Sequence, residues 1–164
     1  MIKKWLEVIT DHRISLRERM FRLVTSICMF ALLFILPMGR SIWNILILAV
    51  SLVVMGATVK YSIRKRRIDV GATAIAVLML VLFPISFFTA GGFYSGVPEW
   101  FVFCFIYVCI TLQGRRMGVF FVLCAAETLI CYSAAFFFPQ TAVGNTLERS
   151  FFDSAFSVIM VGLL

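Results

Sequence analysis

Residues 70–89 read VGATAIAVLMLVLFPISFFT, a run of 20 residues without one charged side chain. Wound as a helix rising 1.5 Å per residue, such a run crosses about 30 Å, the thickness of a bilayer's hydrocarbon core. Just before it stands sequence of the opposite kind, Lys60-Tyr-Ser-Ile-Arg-Lys-Arg-Arg-Ile-Asp69, with five basic residues in ten. A step from dense charge to unbroken apolarity marks a boundary between water and lipid. It points to an all-α, polytopic membrane bundle.

Four more apolar runs extend the pattern to residues 20–37, 41–59, 98–113 and 117–138, and a sixth opens near Phe151 and is still apolar at Leu164. The last covers 14 residues, fewer than the roughly 20 a spanning helix needs. The expectation is therefore about six transmembrane helices, with the chain cut inside the last one. The whole chain is 62% hydrophobic against about 45–50% for soluble domains, and lipid is the solvent that accommodates the excess.

Residues 1–15 are expected to lie on the membrane and not through it. Ile2, Trp5, Leu6 and Ile9 share one helical face, with Lys3, Lys4 and Glu7 turned away, the pattern of an interfacial amphipathic helix. Ser15-Leu-Arg-Glu18 has capping-box spacing and sets the start of the first spanning helix. The domain reading is a cytoplasmic interfacial helix over 1–15 and a six-helix membrane domain over 16–164.

The formal charge of +7 gives orientation. Thirteen of the 15 basic residues fall in the N-terminal segment and in the connections at 60–69 and 114–118, leaving only Arg40 and Arg149 on the other side. Basic residues in short loops are retained on the cytoplasmic side, so the N-terminus is expected in the cytoplasm and the protein in a bacterial cell membrane. Charge spent on topology argues against a nucleic-acid partner; the bilayer is the expected one. No signal-peptide cleavage pattern follows the first apolar run. Cys28, Cys104, Cys109, Cys124 and Cys131 all sit in apolar runs without metal-ligand spacing, so each reads as a small apolar residue.

The connections are short. Met38-Gly-Arg40 is a tight outer turn, Gly114–Gly118 a tight inner one, and residues 139–150 form the longest outer loop, with no internal repeat. Pro84 interrupts the hydrogen bonding of the third span and is expected to kink it. After that span comes Ala90-Gly-Gly-Phe-Tyr-Ser-Gly-Val-Pro-Glu-Trp100, three glycines among aromatic residues. One reading is the rim and lid of an apolar ligand pocket, with Phe88, Gly91, Gly92, Tyr94 and Trp100 as contacts for an unidentified small ligand. The other is a turn bearing an ordinary aromatic belt at the headgroups. With no Lys or Arg in the segment, phosphate binding is disfavoured.

Glu127 lies mid-span, where a carboxyl group normally faces the bundle interior or a wet cavity. It shares a face with Cys124 and Cys131 through spacings of three and four. A hydrogen bond to another helix, a polar contact in a ligand site and a proton relay are all open to it. The lone histidine, His12, lies outside every span, so no span offers haem or di-iron ligands. The apolar runs likewise hold no Ser–His or Cys–His pair. No catalytic residue, metal site or cofactor is expected within the chain.

Leu16-Arg-Glu-Arg-Met-Phe-Arg22, Phe83-Pro-Ile-Ser-Phe-Phe-Thr-Ala-Gly-Gly-Phe-Tyr-Ser-Gly-Val-Pro-Glu-Trp-Phe101 and Asp153-Ser-Ala-Phe-Ser-Val-Ile-Met160 resemble the N-terminal multi-pass membrane sensor modules of bacterial hybrid sensor histidine kinases. Similar modules occur with diguanylate cyclases. The resemblance implies a six-helix input domain, a homodimer, a downstream kinase using ATP and Mg, and a response-regulator partner reached through that kinase. It implies a downstream phosphoacceptor histidine, so His12 does not take that role, and it carries over no ligand-binding residue. The functional expectation is a sensory input domain passing an outer-side or in-membrane cue to an output domain. The alternatives are the input domain of a diguanylate cyclase, a small transporter and a membrane anchor subunit.

Overall fold

The computed structural model describes residues 15–36 and 42–138, the side chains of Trp43 and Asn44 apart, and a few residues near the C-terminal end, among them Phe151, Ser157 and Ile159. The expected interfacial helix over 1–15 lies outside the described residues except for Ser15, as do the turn at 38–40 and the whole loop at 139–150. The described residues form five α-helices: α1 (Leu16–Ile35), α2 (Ile42–Lys65), α3 (Ile68–Ala90), α4 (Val97–Thr111) and α5 (Gly114–Phe137). A 3-10 turn, Gly92–Tyr94, joins α3 to α4, and no strand occurs among these residues.

Among the described residues, three stretches are long and apolar enough to cross a membrane: Ile45–Lys65, Ile68–Ala90 and Gly114–Phe137. They match the expected second, third and fifth spans, and they make this a membrane protein. The expected sixth span lies largely outside the described residues, and the first and fourth differ for visible reasons. Helix α1 carries Arg17, Glu18, Arg19 and Arg22 in its first two turns. Helix α4 has 15 residues, about 22 Å at helical rise.

Helix α1 starts where its cap predicts, since the Ser15 hydroxyl accepts from the Glu18 backbone N–H at 3.2 Å. The Glu18 carboxylate pairs forward with Arg22, one turn on. The basic connections are shorter than expected. Helix α2 continues to Lys65 and α3 begins at Ile68, while α5 begins at Gly114 and absorbs Arg115 and Arg116. A helix need not end where its apolar run ends, because its backbone bonds persist in water while charged side chains point outward. The α2–α3 turn is closed by Arg67 N–H to Ser62 O at 3.0 Å and Arg66 N–H to Ile63 O at 3.3 Å. This is a Schellman pattern with Arg66 at φ 52° in the place usually given to glycine. Helix α3 is unbroken through Pro84, and Pro98 lies in the first turn of α4, where a missing N–H is harmless.

Helices α3 and α4 form the centre: α3 packs on α1, α2, α4 and α5, and α4 on α1, α3 and α5. Two stripes of α4 are buried for this purpose, Trp100, Phe103 and Tyr107 on one side and Phe101, Cys104 and Val108 on the other. Outward faces of α2 and α5 remain apolar, with Val50, Val53, Val122, Leu129 and Ile130 all exposed, as lipid contact requires. At the basic end, Arg17 forms an ion pair with Asp69 and its Nε donates to the Thr111 carbonyl at 2.9 Å. One side chain thus ties the starts of α1 and α3 to the last turn of α4, whose carbonyls lack helical partners. Nearby, a Cβ added to Gly71 would come within 2.7 Å of Ser62 Cβ and 3.2 Å of Phe21 Cζ. Only glycine lets α1, α2 and α3 meet that closely.

Candidate functional site

The opposite, aromatic end holds the residues singled out from sequence. Helix α3 stops at Gly91, whose φ of 127° is open to glycine and strained for other residues, and Gly92 follows at φ 60°. The Gly91 N–H returns to Phe87 O, and Tyr94 N–H donates to Gly91 O at 3.1 Å. The buried Ser95 hydroxyl donates to Gly92 O at 2.7 Å and accepts from Val97 N–H at 3.3 Å. The glycines therefore build a specific, internally bonded turn that reverses the chain between α3 and α4. Gly91 and Gly92 are buried in it, while Tyr94 is 72% exposed at its tip.

Around this turn the rings interlock. Phe87, fully buried, meets Phe88 at 5.3 Å and 86°, Phe93 at 5.7 Å and 89°, and Tyr132 of α5 at 5.8 Å in a stacked pose. Phe101 closes the group against Phe83 at 6.1 Å and against Tyr132 at 6.1 Å. Edge-to-face and offset contacts suit the ring quadrupoles and add to burial. The expected Phe88 thus lies at the margin of a cluster centred on Phe87 and Tyr132, two residues that sequence reading did not name as ligand contacts. Aromatic density around the glycines was the available signal for Phe87; nothing in one sequence pairs it with Tyr132.

Trp100 leaves this cluster. It is 8% exposed, packs on Phe103 at 5.4 Å, and its indole N–H donates to the Ser157 hydroxyl at 3.0 Å. A tryptophan in a headgroup belt keeps its N–H toward water; this one spends it on the last apolar run. Glu99, beside it in the first turn of α4, has a buried carboxyl oxygen without a hydrogen-bond partner among the described residues. Its place at the N-terminal end of α4 suits a negative charge.

Glu127 sits one layer deeper, on α5. Its Oε1 is buried and has no hydrogen-bond partner among the described residues, and Cys104, Cys124 and Cys131 lie in its electrostatic surroundings. Cys104 and Cys124 touch, sulfur to sulfur, at 3.2 Å. The structure thus brings Phe88, Gly91, Gly92 and Tyr94 to one turn, puts Trp100 on the adjacent face of α4, and sets Glu127 among thiols below them. No group of three or more His, Cys, Asp or Glu residues able to hold a metal occurs among the described residues. No family model, curated protein or solved structure matches the chain.

Proposed function

We propose that this chain is the membrane input domain of a bacterial signal-transduction histidine kinase, which perceives an outer-side or in-membrane cue and relays it to a cytoplasmic output domain. In this reading the chain crosses the membrane six times from a cytoplasmic N-terminus, with residues 1–15 as an interfacial helix, and works as a homodimer. ATP, Mg and the response-regulator partner belong to the kinase portion beyond this chain. The cue is a small neutral or cationic molecule contacting Phe88, Gly91, Gly92, Tyr94, Trp100 and Glu127, since the turn offers no cation for an anion and Glu99 adds a carboxylate.

The observation that supports this reading best is the 3.0 Å bond from Trp100 to Ser157. It joins the first turn of α4, directly after the glycine turn, to the last apolar run, 57 residues later in the chain. A cue transmits only by binding two helix arrangements with different affinity, and this bond is a contact that such a change makes or breaks. The test is ATP-dependent autophosphorylation of the full-length protein in nanodiscs across lipids and cell extracts. Gly92→Val, which strains the turn at φ 60°, should alter the response without preventing insertion, and Trp100→Phe should uncouple it. Normal signalling by both variants would sink the reading. The reading frame after Leu164 supplies an independent check: a Gly-Gly-Asp/Glu-Glu-Phe motif there moves the output to a cyclase, and a stop codon removes the output domain.

A further inference from the structure

The contact between Cys104 and Cys124 bridges two neighbouring helices, and both side chains are almost fully buried, at 1% and 2% exposure. All five cysteines are free thiols. A disulfide sets its sulfurs about 2.05 Å apart, so the 3.2 Å contact closes to a bond through a movement of little more than an ångström. Glu127 follows Cys124 by three residues on the same face of α5, with a buried oxygen that has no hydrogen-bond partner among the described residues. Cys109, by contrast, is exposed on the outside of α4.

We propose that Cys104 and Cys124 form a reversible dithiol–disulfide couple inside the membrane, oxidised by a lipid-soluble quinone. The position of the thiols selects the oxidant. They lie midway along α4 and α5 behind apolar side chains, where charged aqueous oxidants such as glutathione disulfide do not partition. A neutral, apolar acceptor of two electrons and two protons is required, and that is the chemistry of a quinone. Two S–H bonds break and one S–S bond forms; the quinone takes both electrons and both protons and leaves as a hydroquinone. The thiolate is the reactive form of a cysteine, and Glu127 is placed to receive the Cys124 proton and pass it to a quinone oxygen. A hydroquinone or an added dithiol reverses the step. Closure pins α4 to α5 one turn below Trp100. The chemistry belongs to this chain alone and goes beyond the sensory reading, because it is read on the sulfurs and not on any output.

The full chain, reduced, freed of reductant and held in nanodiscs, is treated with decylubiquinone, whose fully substituted ring cannot alkylate thiols. After acid quenching and denaturation, thiols are counted by maleimide labelling and intact mass. Labelled thiols should fall from the five free cysteines to three, with a peptide linking residues 104 and 124, and dithiothreitol should restore five. Cys104→Ala should abolish the loss, while Cys131→Ser should leave it unchanged. Glu127→Gln should slow closure by about tenfold or more while reaching the same end state; an unchanged rate removes Glu127 from the proton path. Five thiols after treatment, or a link formed only between copies through Cys109, would overturn the couple. Closure by hydrogen peroxide but not by the quinone would overturn the assignment of the oxidant. Neither result bears on whether a kinase responds to Gly92→Val, so the two proposals fail separately.

Discussion

Helix α3 is gripped differently at its two ends. Near its start it has shed side chains: Gly71 and Ala72 are buried, and the Ser62 side chain of α2 and the ring tip of Phe21 of α1 press so near that Gly71 has no room for a methyl group. Near its end it carries Phe83, Phe87 and Phe88, and the helices there are spaced by rings from α4 and α5. In lipid the drive to hide apolar surface from water is absent between helices, so packing and hydrogen bonds carry association. Close backbone approach and interlocked rings are two ways to obtain packing. The first tolerates no added atom, and the second tolerates no missing one.

The largest effect expected from this contrast is at Gly71. Gly71→Leu forces three helices apart and should lower stability by about 3 kcal/mol or more, read as a shift of the unfolding midpoint in mixed micelles. The same enlargement at the exposed Gly118, where an added Cβ meets nothing within 4 Å, should leave the midpoint almost unmoved; equal losses at both sites would break the account of the basic end. Phe87→Ala is the converse test. In a water-soluble core such a truncation costs about 3–5 kcal/mol; with the transfer term removed by lipid, about 2 kcal/mol is expected from lost ring contacts. A full soluble-protein loss would mean that this cluster is shielded from lipid and behaves as an aqueous core.

Trp100→Phe retains a ring against Phe103, deletes the bond to Ser157 and leaves a small void where the larger indole packed. A loss of about 1 kcal/mol should follow, and Ser157→Ala combined with it should add little, as a double-mutant cycle would show. Arg17→Gln should have the smallest effect, about 0.5 kcal/mol and diminishing with salt, because Asp69 is 60% exposed and surface ion pairs are screened. A salt-independent loss would locate the energy in the bond to the Thr111 carbonyl.

Much of the scaffold was legible because it follows from local chemistry. The uncharged run at 70–89 became α3, Ser15 capped α1, and the glycine-rich stretch after α3 became a turn with Gly91 and Gly92 at positive φ. The turns were misjudged because charge density marks where lipid ends, and helices at 60–65 and 114–118 run past that limit. At the candidate site, the segment 91–100 was legible as unusual, but the direction of Trp100 was not, since its partner at Ser157 is distant in sequence. Cys104 and Cys124 each read as an inert small residue, and only their juxtaposition makes them a pair. Gly71 gave no local signal either, because a glycine needed for close approach looks like any other.

The two-residue turn at Arg66 and Arg67 also carries a consequence in time. Ser62 and Gly71 lie so near in sequence that the α2–α3 hairpin closes a very short loop, with little entropy to lose. The clasp from Arg17 to Thr111 joins residues 94 positions apart, and its acceptor is synthesised long after its donor. Asp69, the other partner of Arg17, is also synthesised before Thr111 exists. The hairpin's contacts are thus of low contact order, the kind that forms fast, and the clasp is a latch that can engage only once α4 has been made.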